Sequence, residues 1–383
     1  MLNDDTNWRL VTQVEMSTTE EPAPRSGLGQ FKALITAGGI GTRLLPFSKE
    51  IPKEMFPIVT RNGDESLQLK PVIQAIFEQL HNAGIRTFYI VVGRGKRAIE
   101  DHFSPDLQFL EYLAKKGKAN ENLTHFYEKI RSSDLVFLNQ FEPLGFGDAV
   151  LLGRTVIHGP FLVQAADTFI LSERNDYLTR LATMHEKYHA DATVLLQEVP
   201  DPRHYGVVEG DSIEEGVLWV KRAVEKPSEP RSHHAIMPIY LFTDEIFDAL
   251  SQIPPGVGGE LQLTDAIQSL ASRGKRVVGV SLRDDERRLD IGSLETMLEA
   301  LKVSLIHVEE APTLVSDGGR AIPTADQSSE INPSSPGATS ESKRPLESRS
   351  QVQKIPRGRK RAGEQVVAAT HQRSKGTTRS RGE

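Results

Sequence analysis

The strongest constraint on this chain is a short apolar run that ends in glycine. "FKALITAGGIGTR", beginning at Phe31, has the length and apolar content of a buried strand, and it stops at Gly38-Gly39. In "PVIQAIFEQLHNAG" the residues Val72, Ile73, Ile76, Phe77 and Leu80 recur at helical spacing, and Gly84 supplies a stop. "RTFYIVVG" is a second apolar run rich in β-formers. Strand, helix and strand at this spacing predict a right-handed crossover within a parallel sheet.

The same reading extends along the chain. "KRAIEDHF" starts a helix, residues 105–133 form a polar helical insertion, and "DLVFLNQ" is a strand. "GFGDAVLLGRTVI" and "YLTRLATMHEKYHA" have helical spacing around the buried strand "PFLVQAAD". "ATVLLQEV", "YGVVEGD", "VLWVKRAVEKP" and "AIMPIYLF" are strand-like and close together, which predicts mixed or antiparallel pairing. Two helices, the strand "RVVGVSL" and a closing helix, "SLETMLEALKVSLIHVEE", complete an ordered region expected over 31–310. The predicted fold is α/β: a Rossmann-like open, mostly parallel sheet flanked by helices, with a smaller antiparallel extension.

Composition bounds what such a chain does. The absence of cysteine among 383 residues excludes a disulfide framework, a thiolate nucleophile and a cysteine zinc site, and it agrees with a reducing compartment. No apolar run approaches the roughly eighteen residues of a membrane span, and the first residues lack an apolar signal-like core, so a cytoplasmic location is expected. The net charge of −6 is unevenly spread. From Lys343 onward there are 12 Lys and Arg against 3 Asp and Glu, while the preceding 342 residues carry a net −15. So acidic a body repels a phosphate backbone and is a poor general nucleic-acid binder. Residues 1–30 read as a disordered leader, and 311–383, rich in Ser, Pro and Arg, as a disordered basic tail. Its cluster "KIPRGRKRAG" is either a solvated segment or a contact for an anionic partner.

Glycines between a strand and a helix let backbone N–H groups approach a phosphate. Two common designs fail here. "GGIGTR" lacks the lysine that ends a P-loop, and Leu44 stands where a dinucleotide fingerprint has its third glycine. What is present is a glycine loop with Arg43, a planar fork for phosphate oxygens, and Lys53, a point charge in a segment held irregular by Pro52 and Pro57. Each alone reads as a tight turn or a solvated cation; the combination is much harder to reach by chance.

"AGGIGTRLLPFSKEIPKEMFPIV" resembles the signature of the sugar-1-phosphate nucleotidyltransferases, and "IPKEMFP" resembles their UTP–glucose-1-phosphate uridylyltransferase branch. "NQFEPLGFGDAV", "YGVV", "VEKP", "PPGVGGELQLTDAI" and "LDIGSLETM" come next in the branch's order, from about Phe31 to Leu305. The resemblance implies a uridylyl transfer from UTP to glucose 1-phosphate, with Arg43, Lys53 and Asp167 as catalytic groups. It implies Mg²⁺ held by Asp167 and Asp290, and nucleotide contacts from Ala37, Gly38, Gly39, Glu54, Gln140 and Gly145. On the sugar side, which would be the antiparallel extension, it implies Gly206, Glu225, Lys226 and Glu260. A homo-oligomer is also implied. The nucleophile of such a reaction is already an anion, so alignment and charge neutralisation suffice without a general base.

Residue by residue, other readings stay open. Asp167 is also placed to cap the turn that "DTFILSE" could start; Asp284 and Asp285 lie close to Asp290 in sequence, and the "DIG" context selects Asp290. Two departures stand out: Asp148 where the family often has His, and Pro238 where it has Gly. Another nucleotide or sugar phosphate, and a non-catalytic homologue, are the rival readings.

Overall fold

The computed structural model describes residues 27–61, 66–172 and 174–310. In chain order the strands and helices are β1 (Lys32–Ala37), β2 (Pro57–Arg61), β3 (Leu67–Pro71), α1 (Val72–Asn82), β4 (Thr87–Gly93), α2 (Arg97–His102), α3 (Leu107–Lys115), α4 (Glu121–Arg131) and β5 (Asp134–Gln140). They continue as α5 (Phe146–Leu151), β6 (Phe161–Ala165), β7 (Thr168–Leu171), α6 (Asp176–Lys187), β8 (Ala192–Glu198), β9 (Gly206–Glu214), β10 (Val217–Glu225) and β11 (His234–Phe242). The last are α7 (Glu245–Gln252), α8 (Leu263–Ser272), β12 (Val277–Ser281), β13 (Arg287–Asp290) and α9 (Leu294–Glu310).

Nine strands form one sheet in the order β5-β4-β1-β6-β11-β8-β12-β10-β9. The expected crossover is present: β1 pairs parallel with β4 and β6, and β4 parallel with β5. Only β11 and β10 run against the other strands. The antiparallel part expected from sequence is joined directly to the parallel part. β12 inserts between β8 and β10, so the ladder continues without a break.

Alternation along the strands explains why both faces are covered. Ala33, Ile35 and Ala37 of β1, with Phe88, Ile90 and Val92 of β4, point into one apolar cluster, which takes α1 through Ile73, Ile76, Phe77 and Leu80. Leu34, Tyr89 and Val91 point into the other, which takes α7 and α8 through Ile246, Leu250, Ile267 and Leu270. Each fully buried Val, Leu, Ile or Phe among them contributes about 1.5–3 kcal/mol over an exposed one.

Two short ladders escaped the sequence reading: β2 with β3, and β7 with β13. The ordered body also begins earlier than expected. Gly27–Gln30 form a 3₁₀ turn, and Leu28 is buried in the core. The expectations for 1–26 and for the tail 311–383 lie outside the described residues.

Candidate active site

Parallel strands bring their carboxyl ends to one edge, where open α/β sheets hold ligands. Register makes this concrete: Ala37 pairs with Val92, Gly93 with Gln140, and Thr36 with Ala165. The chain leaves β1 into residues 38–41, β5 ends on Gln140, and Asp167 comes two residues after β6. A cavity of about 520 Å³ opens here, lined among others by Gly38, Gly39, Lys53, Glu54, Gln140 and Asp167. Gly145 and Glu260 line it as well. Ala37 is fully buried at the end of β1 and does not line it; Thr36 does.

"PKEMFP" resolves into a single 3₁₀ turn, Lys53–Met55, entered from Pro52 and left into β2. The turn aims Lys53 across the glycine loop, where its Nζ donates to Asp167 Oδ2. Burial opposes both charges. The Asp167 carboxylate, with Glu54 and Asp290 behind it, nevertheless holds the Lys53 ammonium above its usual range. Burial likewise opposes ionisation of Asp167, and Lys53 nevertheless keeps that carboxyl below its usual range. Glu54 is almost fully enclosed and takes a 2.6 Å bond from Lys96 Nζ. Burial pushes the Glu54 carboxyl up, more than Lys96 and Lys53 pull it down. Lys96 was not singled out from sequence, because a lysine opening a helix reads as solvated.

β13 pairs with β7 so that Asp290 sits opposite Thr168, and Ile291 N–H donates to Asp167 O at 2.9 Å. This places Asp290, rather than Asp284 or Asp285, beside Asp167, and its charge reaches Lys53. Among the described residues no group of three or more His, Asp or Glu is arranged to hold a metal ion. Two neighbouring carboxylates fit a hard cation that keeps waters and shares phosphate oxygens, and they do not fit a closed protein cage. Arg43 is exposed and outside the cavity lining. Its guanidinium and the Asp290 carboxylate converge on Gly292, where a Cβ would lie 3.1 Å from Arg43 Nη2 and 2.8 Å from Asp290 Oδ2.

The remaining predicted residues form a second cluster. Glu225 ends β10 opposite Gly206, which opens β9. Thr264 Oγ1 donates to Glu225 Oε2 at 2.7 Å, and Lys226 Nζ lies 3.0 Å from Oε1. Lys226 adopts a left-handed backbone, φ 43°, and its N–H donates to Tyr205 O at 2.9 Å. Gly206 is required by close approach, since a Cβ would come within 2.5 Å of Thr264 Oγ1. Thr264 was missed from sequence; a threonine in the first turn of a helix carries no signal of its partner 39 residues away.

The two clusters are joined by backbone. Gly147 N–H donates to Leu261 O and Leu261 N–H to Leu144 O, each at 2.8 Å. Gly145, with φ 113°, makes this possible, because a Cβ would meet Glu260 Cβ and Leu261 O at 2.8 Å. Pro238 lies in β11 between Ile236 and Tyr240, where pairing with β8 breaks register. Proline has no N–H to give a ladder, so the irregularity falls where it is tolerated.

Residues 32–305 match the family model "Nucleotidyl transferase". The chain belongs to that family, and it is an enzyme of that type. Among similar proteins, a UTP–glucose-1-phosphate uridylyltransferase of Bacillus subtilis is 39% identical over 272 residues, covering 68% of this chain and 86% of the relative. Another, of Pseudomonas aeruginosa, is 36% identical over 275 residues, covering 70% of this chain and 94% of the relative. A UDP-glucose pyrophosphorylase solved with UDP-glucose superposes with TM-score 0.62 at 33% identity, covering 72% of this chain and 99% of that one.

Proposed function

We propose that the protein transfers a uridylyl group from UTP to glucose 1-phosphate, giving UDP-glucose and pyrophosphate. The observation that carries this reading is one cavity lined both by a buried amide, Gln140, and by the Lys53–Asp167 pair, with Glu225 and Lys226 joined to it through residues 260–264. The amide suits a base, the charged pair suits phosphates, and Glu225 with Lys226 suits a sugar phosphate.

The glycine loop offers backbone N–H groups to the triphosphate, and Arg43 stands at its rim to neutralise the outer phosphates. Lys53 lies between the glycine loop and Asp167, and on leaving Asp167 its ammonium neutralises the α-phosphate. Lys226 holds the sugar phosphate, and Glu225, fixed by Thr264, accepts from sugar hydroxyls. Asp167 and Asp290 are the groups to hold Mg²⁺, which when bound draws negative charge from the phosphate oxygens. With both substrates aligned, an oxygen of glucose 1-phosphate forms a bond to the α-phosphorus. The bond from the α-phosphorus to the bridging oxygen breaks, and pyrophosphate leaves with the electron pair.

Purified protein given UTP, glucose 1-phosphate and MgCl₂ should release pyrophosphate and form UDP-glucose, and EDTA should stop it. Release from no pairing of nucleotide and sugar phosphate would overturn the reading; faster turnover of dTTP or another sugar phosphate would move it to the alternative pair. The homo-oligomer, the cytoplasmic location and a contact of the basic tail with an anionic partner stand as parts of the same proposal. Among the described residues no helix is long and apolar enough to cross a membrane.

A further inference from the structure

We infer that Asp148 is a specificity-determining positioning residue: it fixes the amide of Gln140 so that a hydrogen-bond acceptor, and not a donor, faces the base. Gln140 ends β5 and is 6% exposed, so its orientation is decided by protein partners more than by water. Its Nε2 donates to Asp148 Oδ2 at 2.8 Å and to Gly145 O at 3.2 Å. Both amide hydrogens are therefore engaged. An ionised carboxylate only accepts, and so does a backbone carbonyl, so the flipped amide would set oxygen against oxygen twice. Asp148 is placed to impose this by the first turn of α5, which starts directly from the Gly145 turn.

The consequence lies at the other end of the amide. Gln140 Oε1 points across the cavity wall to Gly38, where an added Cβ would lie 2.1 Å from it. Among the described residues no donor is paired with this oxygen. It faces the ligand space as a bare acceptor beside a glycine that leaves it room. The complementary edge is a ring N–H flanked by carbonyls, as in uracil or thymine at N3. Cytosine presents a lone pair at N3, so two acceptors would oppose each other and an unpaired group would be buried. Selection between a ring N–H and a ring lone pair thus comes from a residue in contact with the amide and not with the base.

The inference rests on the proposed nucleotidyl transfer, and the test separates the two. kcat and KM are measured for UTP and CTP, each with glucose 1-phosphate, in the wild-type protein and in Asp148→Asn. Asparagine presents either end to Gln140, so of the two groups that oppose the flipped amide only the Gly145 carbonyl remains. The expected result is a drop of about tenfold or more in the ratio of kcat/KM for UTP over CTP, the weight of one mispaired hydrogen bond. Most of the UTP loss should appear in KM. Asp148→Ala, which removes the acceptor altogether, should relax the ratio in the same direction, and it covers the case of an asparagine variant that folds poorly. Calorimetric titration of UMP and CMP gives the same comparison without turnover. A wild-type protein that uses UTP, with a ratio unchanged in both variants, overturns the assignment of Asp148. A wild-type protein that turns over no nucleotide but binds UMP over CMP, with that preference lost in the variants, overturns the reaction and keeps the assignment.

Discussion

Lys53 and Asp167 are each other's counter-ion, and both front an open cavity. That setting separates their catalytic weight from their structural weight. A deeply enclosed pair broken on one side costs about 3–5 kcal/mol, because the survivor is left without solvent. Here the cavity can hydrate the survivor, so Lys53→Ala and Asp167→Asn should each cost about 1 kcal/mol in urea unfolding. In turnover each should cost at least about 100-fold in kcat, equivalent to about 2.7 kcal/mol. Steady-state kinetics beside urea melts check this, and turnover within threefold of wild type would remove the residue from the mechanism. At this scale the sequence was informative where the family resemblance named both partners. Lys53, Asp167 and Asp290 converge as the motif order implied. Lys96 and Thr264 were invisible because their importance is only the carboxylate each one holds, Glu54 and Glu225.

At the scale of elements, α9 is more than a closing helix. Ser304, fully buried, accepts from Val59 N–H at 3.0 Å and donates to Leu301 O at 2.9 Å, so one hydroxyl ties the helix to β2. Arg61 Nε adds a bond to Val308 O at 3.0 Å. Because β2 continues directly from the Lys53 turn, this clamp supports Lys53 from behind. Ser304→Ala strands a buried N–H and should lower stability by about 1–3 kcal/mol in chemical denaturation; a loss within 0.3 kcal/mol would show that β2 does not depend on it. The long strands and amphipathic helices were legible because their apolar periods are long and bounded by glycine. β7 and β13 were not. Each is four residues, too short for a period, and their pairing spans more than a hundred residues of chain. That pairing is what brings Asp290 to Asp167, so the fold's least legible ladder carries half of the expected metal site.

At the largest scale, His185, buried, and His102, half-buried, weaken the described fold as pH falls. Burial pushes His102 and His185 down to about 4, against the opposing pull of Glu78 and Asp191 respectively. In the unfolded chain both titrate near 6.5. Between pH 6.5 and 4 the unfolded state therefore binds more protons, and stability falls as pH falls, by up to about 1.4 kcal/mol per pH unit for each histidine. The depressed Asp167 carboxyl acts lower, its contribution lost only as pH drops below about 4. Thermal melts from pH 8 to 4.5 should show a plateau above 7 and a decline beginning near 6.5. His185→Gln, which keeps a polar partner for Thr193, should flatten that decline. A melting temperature that stays level to pH 5 would contradict the burial of these rings.

The two backbone bonds between residues 144–147 and Leu261 have a consequence for how the substrates are sensed. Residues 144–147 and the loop leading to Thr264 are one stitched piece, so neither can shift without carrying the other. On the proposed function, occupancy of one half-site should then be reported to the other as a change in affinity. Equilibrium linkage requires that report to be mutual and equal in size in both directions.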